Sequence, residues 1–342
     1  VDAEARFPRE SLSALARAGL LGVALPTDVG GMGLGFRGFA AVTEELASAC
    51  GSTAMIFVMH VAASQAVASG TGLRDREPLL REMASGAHLT TLAFSERGSR
   101  SHFWAPVSQL AASANGYTVD AQKSWVTSAR EAHSYVASAQ KPAAASPLES
   151  TVFLVRRDAA GVAVSGKFDG LGLRGNDSAP ATFQRVAVSA GDLISEPGEG
   201  ADTMLQVVLP WFAVGTAAMS LGLARSAVAL TQLRDLPNLR ARLAEMSLRT
   251  EQSRALLGHT FDHLETGSAA APLFVLQSRL SALQTAADVT DLAMKACGGA
   301  AFSKHLGLER VFRDARAGWV MAPTVDHLLE FTGRALTGLP LF

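Results

Sequence analysis

Small hydroxyl residues and a glycine cluster in the segment LAFSERGSRSHF at residues 92–103, at the end of a predicted strand. Ser95 and Ser101 carry hydroxyl groups that suit phosphate oxygens, as do free backbone amides in such a turn. Gly98 has no Cβ, so the backbone there can approach a ligand closely. The pattern therefore fits a phosphate-binding turn, and an ordinary Ser/Gly turn is the alternative.

A second segment, QKSWVTSA at residues 122–129, carries an aromatic and a hydroxyl residue two positions apart. Side chains at that spacing point to the same side of a strand, so Trp125 and Thr127 are expected on one face. An aromatic surface with a nearby hydrogen-bonding group suits a planar ring ligand. On the residues alone, however, the favoured interpretation is a Trp125 in the core and a Thr127 on the strand surface.

The last part of the chain holds a glycine pair, Gly298 and Gly299, and the charged segment FRDAR at residues 312–316. On the residues alone, the glycine pair predicts the C-terminal cap of a helix. Arg313 and Asp314 are predicted to form a structural ion pair that holds the last helices together and takes no part in catalysis.

The elements that must position these residues follow the order helices, strands, helices. Apolar residues at helical spacing over residues 12–20, and a second helical block over 36–60, predict a helical domain over 1–88. Short, often alternating segments between turn residues predict an antiparallel β-domain over 89–195. These segments are TTLAF, YTVDAQKSWVT, SYVASAQ, STVFLVRR, GVAVSG and ATFQRVAVS. Long apolar helices with short loops predict an antiparallel bundle over 196–342. The expected fold class is therefore α+β, with several domains.

The composition predicts a cytoplasmic protein with a large core. Of 342 residues, 48% are hydrophobic, and the formal net charge of -1 gives no basis for a nucleic-acid partner. Cys50 and Cys297 are the only cysteines in the sequence, which favours a reducing compartment over a disulfide framework. There is no uninterrupted apolar run of about eighteen residues and no apolar signal region, so no membrane association is expected.

Four segments, in order, make the chain resemble the acyl-CoA dehydrogenase family of flavoproteins over nearly its whole length. Residues 92–103 are similar to the family's T-E-P-G-A-G-S-D, and residues 122–129 to K-x-W-I-T-N-G. Residues 169–189 resemble LGMRGSxTxxLxFxxVxVP, and residues 296–316 resemble GGxGYxxxxPxERxxRDAR. The resemblance implies an N-terminal helical domain, a middle antiparallel β-domain and a C-terminal four-helix bundle.

The same resemblance implies that the chain binds FAD. Trp125 then packs against the flavin ring and Thr127 hydrogen-bonds near N5, while Ser101 contacts the pyrophosphate. Gly298 and Gly299 match a pair that meets the adenosine half of a neighbouring subunit's FAD. The full set of implied cofactor-binding residues is Phe94, Ser95, Ser101, Trp125, Thr127, Gly298, Gly299 and Thr324.

Some positions depart from the family pattern. The family's proline, last glycine and aspartate in the first segment are Arg97, Arg100 and His102 here. The two arginines fit equally well as partners of phosphate or carboxylate groups and as solvated surface charges. A family loop that reaches a neighbour's FAD is missing from residues 233–246. Without this loop, weaker binding of the adenosine half of FAD is expected. FMN, or reduced flavin supplied by a partner, is therefore the alternative cofactor.

The family's catalytic glutamate is replaced at both of the positions where its members carry it. The usual position, shortly after RDAR, is Ala322, and a methyl group cannot accept a proton. Pro323 replaces the glycine that follows, so the local backbone is altered too. The less common position, on an earlier helix, is Phe212. Asp326 is a weak candidate for a base that has moved to a new position. The favoured interpretation is that Asp326 is a polar residue on the flank of a helix.

The leading interpretation is an acyl-CoA dehydrogenase-like flavin oxidoreductase that acts on a thioester of CoA or of an acyl carrier protein. A flavin-dependent monooxygenase on the same scaffold is the alternative, favoured by the missing glutamate. A catalytically degenerate flavoprotein subunit is a third interpretation, and the retained Trp125, Thr127 and Ser101 argue against it. The resemblance implies an electron-transfer flavoprotein or a flavin reductase as partner, and a homodimer or homotetramer. No metal site is expected.

Overall fold

The computed structural model describes residues 1–234 and 237–341 of the chain. The N-terminal part is helical, as the apolar spacing predicted. The predicted helical block over residues 36–60 is divided, because Cys50 adopts extended backbone (φ −153°, ψ 107°) between two helices. The helices of this part are α1 (Arg9–Arg17), α2 (Gly35–Ala49), α3 (Gly51–Ser69) and α4 (Arg76–Ser85).

β-Sheets form the middle of the chain. The strands are β1 (Thr90–Ala93), β2 (Leu110–Ser113), β3 (Gly116–Val126), β4 (Ser134–Gln140), β5 (Ser150–Arg156), β6 (Val162–Val164) and β7 (Ala179–Val188). One sheet has the order β1-β4-β5 and another the order β2-β3-β7-β6. The prediction of antiparallel pairing is correct for the second sheet and for β4 with β5, but β1 pairs with β4 in parallel.

Long helices return after β7. The elements are α5 (Gly200–Asp202), a π-helical turn (Thr203–Val208), α6 (Leu209–Gln232), α7 (Arg240–Glu265), α8 (Ala271–Cys297), α9 (Gly299–Phe302), α10 (Leu308–Val320) and α11 (Val325–Leu336). Helices α6, α7, α8 and α10 pack on one another as a bundle, and α11 packs against α8. The bundle predicted from the apolar spacing is thus confirmed. Of the segment with the missing family loop, residues 235 and 236 lie outside the described part of the chain.

Helix α6 joins the two helical parts, since it packs against α2 and α3 as well as against α7 and α8. The contact with α2 is close: a Cβ at Gly222 would lie 2.3 Å from the carbonyl oxygen of Glu44, so the site requires glycine. The domain limits at residues 88 and 195 stay predictions.

Two helical segments among the described residues have the length and apolar composition of a membrane span, although no uninterrupted apolar run predicted one. They are Gly51–Ser69 and Gly200–Gln232. The most apolar stretch of 18 residues is 89% buried in the first segment and 78% buried in the second. Their apolar character is accounted for by packing in the protein core.

Candidate functional site

A cavity of about 730 Å³ lies where the β-sheets meet both sets of helices. Its walls come from α3, from the chain after β1, from the end of β3, from residues 168–178, from the start of α6, and from α10 with the two residues after it. Most of the lining is apolar. Ser95, Ser101, Thr127 and Ser178 are among its polar lining residues. The cavity therefore offers apolar contact with a few hydrogen-bonding groups, as small-molecule sites do.

Trp125 and Thr127 both line this cavity, but regular strand alternation does not place them there. The pairing of β3 with β7 is irregular between Lys123 and Val126, and Trp125 has a left-handed backbone conformation (φ 57°). The irregularity turns the indole outwards, with 72% of Trp125 exposed, whereas Thr127 is only 3% exposed. The interpretation of a core Trp125 and a surface Thr127 is therefore wrong.

The Thr127 hydroxyl is held in place by the next strand of the same sheet. It lies 3.2 Å from the hydroxyl of Ser178, just before β7, and both side chains are buried. Each hydroxyl carries one proton and two acceptor lone pairs. One member of the pair can therefore donate to the other while the second donates to a group in the cavity.

The turn after β1 supplies the other hydroxyl residues. Ser95 and Ser101 both line the cavity, and Ser101 has a left-handed backbone (φ 66°). Gly98 is also left-handed (φ 97°), and a Cβ there would meet nothing within 4 Å, so the turn requires glycine for its conformation. Arg97 and Arg100 are exposed. The predicted turn is thus present, and its residues Ser95, Ser99 and Ser101 line the cavity.

Glu96 anchors this turn through a buried ion pair that sequence reasoning missed. Its carboxylate accepts hydrogen bonds from the Lys123 ammonium at 2.6 Å and from the Val107 and Ser108 backbone amides at 2.6 and 2.7 Å. Burial raises the pKa of Glu96, but the Lys123 charge and the hydrogen bonds outweigh burial and lower it. The sequence contains a signal for this pair, because the acidic Glu96 lies in the segment 92–103 and the basic Lys123 lies in the segment 122–129.

The two residues at the predicted base positions are apolar, and both line the cavity. Ala322 and Phe212 line it, from opposite ends of the C-terminal region. Glu96 is the only carboxylate among the described lining residues, and it is already paired with Lys123. Asp326 is exposed, in the first turn of α11, and is not part of the lining. As described, the cavity has no free carboxylate to accept a proton.

The remaining predicted residues divide between the cavity and other surfaces. Phe94 lines the cavity, whereas Thr324 caps α11 through its hydroxyl, which lies 3.4 Å from the His327 amide nitrogen. Gly298 separates α8 from α9 and Gly299 begins α9; neither lines the cavity, and a Cβ at either would meet nothing within 4 Å. The glycine pair therefore lies beside open space at the end of a helix.

Arg313 and Asp314 do not pair with each other as predicted. Arg313 donates to Asp2 at 2.6 Å, whereas Asp314 lies 3.7 Å from Arg310. The Asp314 carboxylate also accepts from the Leu173 amide at 2.6 Å, and burial raises its pKa to about 6. Successive residues on a helix point about 100° apart, so each of the two contacts a different neighbour. The predicted pair is therefore wrong, and Arg313 also lines the cavity.

Three parts of the chain match the domains of one protein family. Residues 1–87 match "Acyl-CoA dehydrogenase, N-terminal domain", residues 91–186 match the middle domain of the same family, and residues 198–336 match its C-terminal domain. Together these matches cover most of the chain.

Individual proteins named as CoA-thioester dehydrogenases are also similar to the chain over most of its length. The cyclohex-1-ene-1-carbonyl-CoA dehydrogenase of Geobacter metallireducens is 27% identical, over 98% of this chain and 92% of its own length. The mitochondrial short-chain specific acyl-CoA dehydrogenase of Bos taurus is also 27% identical, over 92% of this chain and 79% of its own length. The solved structure of butyryl-CoA dehydrogenase from Megasphaera elsdenii superposes with a TM-score of 0.92 at 22% identity, over 98% of this chain and 92% of its own. That superposition confirms the predicted fold.

Proposed function

The chain belongs to the acyl-CoA dehydrogenase family, and we propose that it is a flavin-dependent oxidoreductase that acts on an acyl thioester in the cavity described above. One observation carries the proposal. The segments that resemble the family's flavin motifs are far apart in the sequence, yet Ser95, Ser101, Trp125 and Thr127 face one cavity.

FAD is the proposed cofactor, and the residues present fit a flavin ring. The exposed indole of Trp125 offers a flat apolar surface, and Thr127 with Ser178 offers a hydroxyl for an edge atom. Ser101 offers a hydroxyl group for the pyrophosphate, and Phe94 with Ser95 is proposed to contact the flavin at the end of β1. When bound, the flavin supplies a two-electron acceptor for a hydride. FMN, or reduced flavin supplied by a partner, remains the alternative, and Gly298 and Gly299 are proposed to contact the adenosine half of a neighbour's FAD.

The chain's own residues orient the substrate and exclude water. Met55, Met59 and Leu92 form an apolar wall on one side of the cavity, and Val208 with Phe212 forms another. Such walls favour an acyl chain over water, because burial of apolar surface is favourable by about 25 cal/mol per Å². We propose a thioester of CoA or of an acyl carrier protein as substrate.

A flavin-dependent monooxygenase is the second candidate, and the absence of a free carboxylate among the described lining residues favours it. Oxygenation requires a dry pocket around the flavin and no base for an α-proton. The apolar Phe212 and Ala322 at the two base positions suit that requirement. Incorporation of isotope-labelled dioxygen into product would support this candidate, and electron transfer to an artificial acceptor in the presence of an acyl thioester would support the dehydrogenase.

We also propose an oligomeric state, a redox partner and a location for the protein. These are a homodimer or homotetramer, an electron-transfer flavoprotein or flavin reductase as redox partner, and a cytoplasmic location. The two free cysteines, Cys50 and Cys297, support a reducing compartment. Large apolar side chains exposed on the helical part, such as Leu233, Leu248 and Phe302, support association of copies.

Titration with flavin tests the central proposal. The purified protein is mixed with FAD, with FMN and with each reduced form, and the change in flavin absorbance or fluorescence is followed. Saturable binding of one form is the expected result, followed by bleaching on addition of an acyl thioester if the protein is a dehydrogenase. No binding of any form would overturn the proposal and favour a degenerate subunit.

A further inference from the structure

Arg279 is a completely buried arginine on α8, with 0% of its surface exposed. Its Nη2 atom donates to the carbonyl oxygen of Met321 at 3.1 Å. Its Nε and Nη1 atoms are buried and have no hydrogen-bond partner in the structure. Among the described residues, no carboxylate forms an ion pair with it. The guanidinium is therefore a buried cation without a compensating anion.

The guanidinium lies directly behind the inner wall of the cavity. Its carbon atom is 5.0 Å from the centre of the Phe212 ring, and its hydrogen bond reaches Met321, next to Ala322. Phe212, Met321 and Ala322 all line the cavity. Arg279 thus lies between the two positions at which members of the family carry a carboxylate, and both are apolar in this chain.

A buried charge without a partner is unfavourable, because the interior solvates it far less well than water does. Burial lowers the pKa of Arg279 to about 9, so the side chain still carries its charge at neutral pH. The Phe212 ring, which lines the cavity, lies 5.0 Å from this charge, and in an interior of low dielectric the attraction between the charge and an anion beside the ring is weakly screened. An anion at the inner end of the cavity would provide the missing compensation.

We propose that Arg279 makes the inner end of the cavity, beside Phe212 and Ala322, a subsite for a carboxylate carried by the acyl group of the substrate. This inference rests on the proposed function and narrows its substrate class to acyl thioesters with a second anionic group. The carboxylate binds against Phe212, and a shift of that partly buried side chain allows direct contact with the unpartnered Nε and Nη1 atoms. Arg279 is a specificity-determining residue in this arrangement.

Binding of two CoA thioesters with acyl chains of equal length tests the proposal. Succinyl-CoA carries the second carboxylate and butyryl-CoA does not. Calorimetric titration of the flavin-loaded wild-type protein should show roughly tenfold tighter binding of succinyl-CoA, as a charge-assisted hydrogen bond would give. In Arg279→Met the ratio of the two dissociation constants should fall to about one, and in Arg279→Lys part of the preference should remain.

Two further variants exclude other causes of the preference. Arg249→Met removes an arginine from the outer face of α7, where it pairs with Glu245, and controls for net charge. Arg316→Met removes an arginine that lines the cavity. The preference should persist in both variants. Loss of the preference in Arg316→Met with its retention in Arg279→Met would overturn the assignment.

The wild-type protein alone can also overturn the proposal, should Arg279→Met fail to fold. Equal binding of both thioesters, or a preference for butyryl-CoA, rules out the subsite while leaving the thioester function intact. If neither thioester binds, the thioester function fails. The subsite is then judged by thermal stabilisation with butyrate against its neutral analogue butyramide, and equal stabilisation by the two rules it out.

Discussion

The ammonium group of Lys123 lies 2.6 Å from the Glu96 carboxylate, and both side chains are almost completely buried. Lys123 also donates to the carbonyl oxygen of Ser138 at 2.5 Å. The pair thereby joins the turn after β1 to β3 and β4. Because Ser95 precedes Glu96 and Trp125 follows Lys123 closely, this contact fixes the two cavity walls relative to each other.

Removal of one partner should therefore be costly. In Lys123→Met, the Glu96 carboxylate remains buried without its cation, and we expect a loss of about 3–5 kcal/mol in the free energy of unfolding. Urea unfolding measures this loss. The double variant Lys123→Met with Glu96→Gln should recover part of it. Lys295→Met breaks an exposed pair with Asp291 and should change stability by less than about 1 kcal/mol. A similar small change for Lys123→Met would contradict the role given to the pair.

Trp125 should contribute to flavin affinity through its exposed ring. Trp125→Ala removes that surface, and we expect flavin binding to weaken roughly tenfold or more, whereas Trp125→Phe retains an aromatic face and should lose less. Fluorescence titration with FAD measures both. Leu34→Ala, which changes an exposed apolar residue beside α2, is the control and should bind as the wild type does. Unchanged affinity in Trp125→Ala would show that the ring packs elsewhere.

Dehydrogenation of saturated acyl-CoA should be slow in the wild-type protein. Neither Ala322 nor Phe212 can accept the α-proton, and a general base contributes on the order of 10²–10⁴-fold. Enoyl-CoA formation from an acyl-CoA panel measures the rate. Ala322→Glu should raise it, although Pro323 after the new carboxylate limits the gain.

The exposed Asp326 serves as the check on that expectation. Asp326→Asn should leave the slow rate unchanged, since the side chain lies outside the cavity lining. Fast enoyl-CoA formation by the wild type, abolished in Asp326→Asn, would show instead that a relocated base acts.

Acid should destabilise the protein through His60. Burial lowers the pKa of this histidine from 6.5 to about 4. Below pH 6.5 the unfolded chain binds a proton that the folded chain does not, so stability is complete above pH 6.5 and falls as the pH approaches 4. The loss is on the order of 3 kcal/mol. His60→Gln does not titrate, so its unfolding free energy should vary less between these pH values.

The control for this pH dependence is an exposed histidine. His305→Gln should keep the wild-type slope of unfolding free energy against pH, as measured by urea unfolding at each pH. If His60→Gln keeps that slope too, other groups cause the acid sensitivity.

Association through the helical part is expected from its exposed apolar side chains. Light scattering should report a dimer or tetramer at working concentration. Replacement of the exposed Phe302 by serine should weaken association if α9 lies in the interface, while Leu34→Ser, on the N-terminal part, should leave the oligomer intact. A monomeric wild type would contradict the proposed homo-oligomer.

Local sequence signals predicted most of the elements. Alternating segments between turn residues identified β1 and β3 to β7, because each strand's pattern is written in its own residues. Strand β2, Leu110–Ser113, was not predicted, because its residues LAAS are rich in alanine and have little β-propensity. The parallel pairing of β1 with β4 was not predicted either, since strand pairing joins residues that lie far apart in the chain.

The order of helices and strands, the family resemblance, the hydroxyl residues of the turn after β1, and the apolar residues at the predicted base positions Ala322 and Phe212 could all be read from local sequence. Which side chains share a cavity, and which are buried, became known from the folded chain. There Trp125 is exposed beside an irregularity in β3, Arg313 pairs with Asp2, and Arg279 is buried with no ion-pair partner among the described residues. These outcomes depend on contacts between residues far apart in the chain, and no local periodicity or residue type encodes such contacts.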